Sequence, residues 1–86
     1  MNKNNDIHPG MLFAVTQGVH FGANIVCIKA NESQINFLNV NDMTNMDISR
    51  VDVLTGLEND VIELLESIPD DIMDICNKQY EKNINN

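Results

Sequence analysis

The side chains here with the means to do chemistry are two cysteines, two histidines and thirteen carboxylates. A thiol nucleophile needs a base and an electropositive setting that lowers its pKa. Cys27 instead sits inside the apolar run Asn24-Ile25-Val26-Cys27-Ile28, and Cys76 follows a series of acids that would raise its pKa. Both read as inert, buried thiols in a reducing compartment, with a disulfide pinning the last helix to a strand as the alternative. His8 lies in a polar arm and His20 beside a glycine bend, and neither belongs to a CxxC or HExxH spacing. No metal or other cofactor is implied. Gly10, Gly18, Gly22 and Gly56 are isolated and open no phosphate-cradling loop followed by lysine. The expectation is a protein that is not an enzyme.

The carboxylates differ because they cluster. Between Leu57 and Asp74 stand Glu58, Asp60, Glu63, Glu66, Asp70, Asp71 and Asp74, with no lysine or arginine among them. Asp70 and Asp71 read as acids favoured by the dipole at a helix start. If Leu57, Val61 and Leu64 form the buried stripe of a helix, Asp60, Glu63 and Glu66 share the opposite arc. With Asp70, Asp71 and Asp74 they form an anionic ridge suited to a basic surface on another protein, where complementary potential speeds association and sets register. Such a partner includes a nucleic-acid-binding protein whose cationic groove takes carboxylates in place of phosphates. The plainer alternative is a solvated face of an acidic protein.

Direct binding to nucleic acid is disfavoured, because Lys3, Lys29, Arg50, Lys78 and Lys82 are too few and scattered to neutralise a phosphate track in a chain of net charge −8. Phe13, Phe21, Phe37 and Tyr80 are the only stacking candidates, and they read as core.

The elements that position these groups follow from periodicity. At 86 residues the chain has room for one core. Residues 1–9 read as a flexible arm ending at the Pro9-Gly10 turn, residues 10–82 as one α+β domain, and residues 83–86 as a frayed tail. Met11–Val15 reads as a strand, and Val19-His20-Phe21 as the start of a second that bends at Gly22 and continues through Ile28. Gln34–Val40 and Met46–Leu54 alternate as further strands. The first half is thus a four-stranded antiparallel meander, by architectural analogy a small SH3-like barrel.

Thr55 with Glu58 three residues on reads as a capping box, opening a helix whose stripe is Leu57, Val61, Leu64, Leu65 and Ile68. Ser67-Ile68-Pro69-Asp70 repeats the start signal for a second helix to about Lys82. In it Ile72, Ile75, Cys76 and Tyr80 share a face, and Asp74 and Lys78 pair at i,i+4.

No segment is long and apolar enough to span a bilayer and no export signal is visible, so a cytoplasmic protein with no membrane partner is expected. The abundant Asn and Ile suit an A+T-rich genome such as those of many bacteria and their phages. The combined reading is a small acidic protein–protein interaction module, a phage or mobile-element regulator or inhibitor that occupies a basic surface. Two alternatives stand beside it. One is an assembly protein that forms a homodimer or larger homo-oligomer through a strand edge or its last helix. The other is a small-ligand binding domain, which a deep polar pocket around His20 would favour.

Overall fold

A computed structural model describes residues 7–85. Five strands and two helices follow one another as β1 (Met11–Val15), β2 (Asn24–Ala30), β3 (Gln34–Asn39), β4 (Thr44–Ser49), α1 (Arg50–Glu58), β5 (Ile62–Ser67) and α2 (Asp70–Ile84). They form one antiparallel sheet in the order β4-β3-β2-β1-β5. The class is α+β as the periodicity predicts. The sheet has a fifth strand, however, and does not close into a barrel, so among the described residues β4 and β5 are both free edges.

β2 explains why the sheet is covered on both sides. Its continuous apolar run leaves no polar side, and its side chains alternate between two cores. Ile25 and Cys27 join Phe13, Ile35, Phe37, Val53 and Ile62 on the inner face. Val26 and Ile28 join Leu38, Cys76 and Tyr80 on the outer face, beneath α2. Phe13 and Phe37 meet edge to face at 5.9 Å, a favoured aromatic geometry. A bulge at Ile28 then breaks the alternation, because Cys27 pairs with Phe37 while Lys29 pairs with Asn36. Regular alternation would aim Lys29 into the inner core with Cys27. The extra residue turns it to the helix side, where it meets Glu81 at 3.6 Å.

The two cysteines are free and buried on opposite sides of the sheet. A disulfide needs Cα atoms about 4.4–6.8 Å apart, so the bridge between strand and helix is ruled out by the sheet that separates them.

Several sequence expectations are overturned. Residues 1–6 of the expected arm lie outside the described residues, but Ile7 is part of the inner core, and the Gly10 amide bonds the Cys27 carbonyl at 2.9 Å. Residues 16–23 form a loop of turns rather than the start of β2, with Gly18 and Gly22 at φ +89° and +92°. β4 ends at Ser49, whose hydroxyl accepts the Asp52 amide at 3.1 Å and caps α1. Thr55 therefore lies inside a helix instead of opening one.

The long helix expected after Thr55 is α1 followed by β5. Asp60, at φ 61°, makes the turn between them, in a left-handed conformation that aspartate tolerates better than most residues. The Thr16 amide bonds the Val61 carbonyl at 2.8 Å, and the Thr16 hydroxyl reaches the Asp60 carbonyl at 2.6 Å, pulling this stretch onto the far edge of β1. Short apolar runs such as Val61-Ile62 and Leu64-Leu65 suit either period, and the open edge of β1 decides between them.

Ser67 ends β5 and does not cap α2, whose N-cap is Pro69. Residues 83 and 84, expected as tail, form the last turn of α2, and Asn83 donates to the Met43 carbonyl at 2.9 Å and to Asn45 Oδ1 at 2.8 Å. The Tyr80 hydroxyl bonds Asp47 at 3.1 Å. These contacts seat α2 on β4, with Met73, Cys76 and Tyr80 inward and Ile72 and Ile75 exposed, not on one buried face.

Candidate functional site

The acidic residues reach the surface by a different route from a helical wheel. In β5, Glu63 pairs with Ala14 and Glu66 with Leu12, two β1 positions on the same face. A regular strand would place residues three apart on opposite faces. The register shift between Leu12 and Phe13 inserts Leu65 as an extra residue and restores the match. Leu12 packs against the outer core, so Glu63 and Glu66 lie on the side of the sheet that carries α2.

Asp70 and Asp71 form the first turn of α2 and Asp74 the next, all exposed. Asp60 stands apart, in the turn at the opposite end of β5. The structure thus strings Asp60, Glu63, Glu66, Asp70, Asp71 and Asp74 along an edge strand and the helix start that follows it, in place of an arc on one helix. Asp74 meets Lys78 at 3.2 Å, the i,i+4 pair that the spacing predicts. Interleaved with the acids are Leu64, Leu65, Ile72 and Ile75, each more than two-fifths exposed.

The thiols are placed for packing. Burial pushes the Cys27 pKa up to about 11, against a weaker opposing pull from the Arg50 charge. Burial also raises that of Cys76. Tyr80 is pushed up to about 12, first by burial and then by its bond to Asp47 and the charges of Asp47 and Glu81. Among the described residues no three His, Cys, Asp or Glu side chains converge as metal ligands. No helix among them is long and apolar enough to cross a membrane.

Around His20 lies an open hollow of about 300 Å³ bordered by Phe21, Asn39 and Asn41. Its asparagine oxygens are engaged, Asn41 Oδ1 by the Asn24 amide at 2.7 Å and Asn39 Oδ1 by the Asn41 amide at 2.9 Å. It is not the deep polar pocket that would single out a small ligand.

The sequence reading missed a second feature. Between the free edges of β4 and β5 lies an apolar cleft of about 410 Å³, walled by Val15, Met46, Ile48, Val61 and Ile62 and covered on one side by the 16–23 loop. On that loop Val19 is 96% and Phe21 73% exposed, so Phe21 is not the core residue expected of it. The available signal was Gly18 and Gly22 bracketing Val19-His20-Phe21, a glycine spacing that suits consecutive turns. No protein-family model, no curated protein and no solved structure matches the chain, so its functional reading rests on this acidic margin and the apolar cleft.

Proposed function

We propose that this chain is a small acidic interaction module, a regulator or inhibitor that occupies a basic surface of a partner protein. The supporting observation is the exposed line of Glu63, Glu66, Asp70 and Asp71 on β5 and α2, which contains no lysine or arginine in its own stretch of chain. Carboxylates held on a paired strand and a helix start are pre-positioned, so little ordering is needed on contact. Their unneutralised potential raises the rate of encounter with a cationic surface, and docking there blocks whatever that surface otherwise binds.

The test uses octalysine as the probe and two variants of equal net charge. Reversing Glu63 and Glu66 to lysine is expected to weaken binding at least tenfold more than reversing Glu32 and Asp52. Affinity should also fall as salt rises. Equal weakening by both variants would show attraction to net charge alone and refute a defined acidic site.

A second reading is favoured by one observation, the two strand edges that are unpaired among the described residues. Copies of the chain would assemble through β4 or β5. A salt-insensitive dimer by sedimentation, with Glu63 and Glu66 outside its interface, would support that reading over the first.

A further inference from the structure

The cleft exists because the sheet stops one strand pairing short of closure. α1 bridges β3, β4 and β5 at one end of the gap. At the other end the 16–23 loop leans over it, leaving Val15 and Ile62 as the buried floor and Met46, Ile48 and Val61 as half-exposed walls.

The loop is not slack. The Gly22 amide bonds the Val15 carbonyl at 2.9 Å, the Phe21 amide bonds Gly18 at 3.1 Å, and the Ala23 amide bonds His20 at 3.0 Å. Val19, one of the lining residues, is therefore held outward at the cleft rim instead of folding into it, and Phe21 is held outward on the same loop. A hollow with apolar walls next to fixed, exposed apolar side chains is the usual form of an anchor site in a protein interface.

Charge selects the occupant. The Asp60 backbone is fixed beside the cleft, because Asp60 immediately precedes the lining residue Val61 and Thr16 holds the carbonyls of both, leaving its exposed side chain next to the margin. Glu58, at the end of α1, is exposed two residues before it, whereas Glu63 lies on the opposite, α2 side of the sheet. Among the described residues no lysine or arginine lines the cleft. Lys29 is engaged with Glu81 and Lys78 with Asp74, while Arg50 Nε donates to the Asn31 carbonyl. A second copy of a chain carrying −8 is a poor match for this margin, and so is a nucleic acid.

We propose that the cleft takes one aliphatic or aromatic side chain borne next to a lysine or arginine on the partner protein, Asp60 beside the cleft holding the cation. This deepens the acidic-module reading and rests on it.

The probes are blocked peptides Lys-Lys-Gly-Leu-Gly-Lys-Lys, its alanine counterpart, and a leucine peptide with serine in place of lysine, each titrated into methyl-labelled protein. The leucine–lysine peptide is expected to bind at least tenfold tighter than the other two and to shift the methyls of Val15, Met46, Ile48 and Ile62. Met46→Gln should remove the leucine advantage while leaving the alanine peptide's affinity unchanged. Ile48→Thr provides the same readout if the first variant does not fold, as its methyl spectrum would reveal. Equal affinity for the leucine and alanine peptides overturns the cleft and leaves the acidic reading standing. Equal affinity for the lysine and serine peptides overturns the cation. Failure of octalysine and all three peptides to bind overturns both readings. Cleft-methyl shifts that depend on protein concentration with no peptide present overturn the proposal in favour of a second copy.

Discussion

Gly56→Ala should destabilise the fold, although alanine is the better helix former. Gly56 is buried in α1, and a Cβ built there would lie 2.9 Å from Ile62 Cδ1 and 3.0 Å from its Cγ1. Helix propensity alone would favour alanine by about 1 kcal/mol. Inserting a methyl group into a filled contact costs about 1–3 kcal/mol. Ile62 borders the cleft and has one direction in which to give, so the cost belongs near the middle of that range and the net loss is about 1 kcal/mol. In a domain of this size that lowers Tm by about 4–8 °C. Urea unfolding followed by far-ultraviolet circular dichroism gives the change directly, with an unchanged slope showing that the unfolded state is unaltered.

A second variant isolates the contact. Ile62→Val removes the Cδ1 atom and alone costs about 0.5–1.5 kcal/mol. In the double variant the shared clash is relieved, so the combined loss should fall short of the sum by about 0.5–1 kcal/mol, within the usual coupling of touching residues. A Gly56→Ala protein more stable than the parent, or strict additivity with Ile62→Val, would refute the claim that α1 and β5 are packed to this tolerance.

Three further outcomes are expected. Ser49→Ala should cost about 1 kcal/mol by removing the cap bond to the Asp52 amide, whereas Thr55→Ala, inside the helix, should be neutral or stabilising; the reverse order in thermal melts would place the helix start at Thr55. Because Tyr80 titrates near pH 12 in the fold against an ordinary value of 10, its neutral form contributes stability that is whole below pH 10 and is lost as pH rises through about 12. Tyr80→Phe should therefore lose less stability across that window in pH-dependent urea titrations. Buried Cys27, with its pKa pushed up to about 11, should react with a disulfide reagent at pH 8 no faster than the protein opens, and mild oxidation should yield no Cys27–Cys76 bridge by mass spectrometry.

The parts of the fold legible in sequence are those with one available period. Met11–Val15 is a run of strand formers and is β1, Gln34-Ile35-Asn36-Phe37 alternates and opens β3, and Asp74 and Lys78 sit a helical turn apart on α2. The stretch from Ser49 to Ser67 carries two periods at once. Met46 and Ile48 alternate as in a strand and Val51 and Val53 alternate again, out of phase with them, yet Ser49 with Asp52 is also a helix start, and the helix is the form that buries Val53 against the inner core. Leu64 and Leu65 complete a helical stripe only if β1 has no use for its second edge. That partner lies some fifty residues earlier in the chain, and no local pattern reports it. The cleft was hidden for the same reason, since Met46, Ile48 and Ile62 become neighbours only once the sheet is left open between its edge strands.

The three-residue spacing of Glu63 and Glu66 shows why a mistaken element can still place two side chains together. Residues i and i+3 share a face on a helix and lie on opposite faces of a regular strand. A strand with one bulged residue between them returns them to a common face, and the bulge at Leu65 supplies it. Two distinct backbones therefore put the same pair of carboxylates on one side. They do not make equivalent surfaces, because a helix would have turned Leu64 and Leu65 inward, whereas β5 leaves both about half exposed. The acids consequently share an edge strand with exposed apolar side chains, Leu65 at the bulge between them and Leu64, opposite inner-facing Phe13, on the other face. A cationic surface with apolar ground between its charges fits that margin better than a groove built to follow a phosphate backbone.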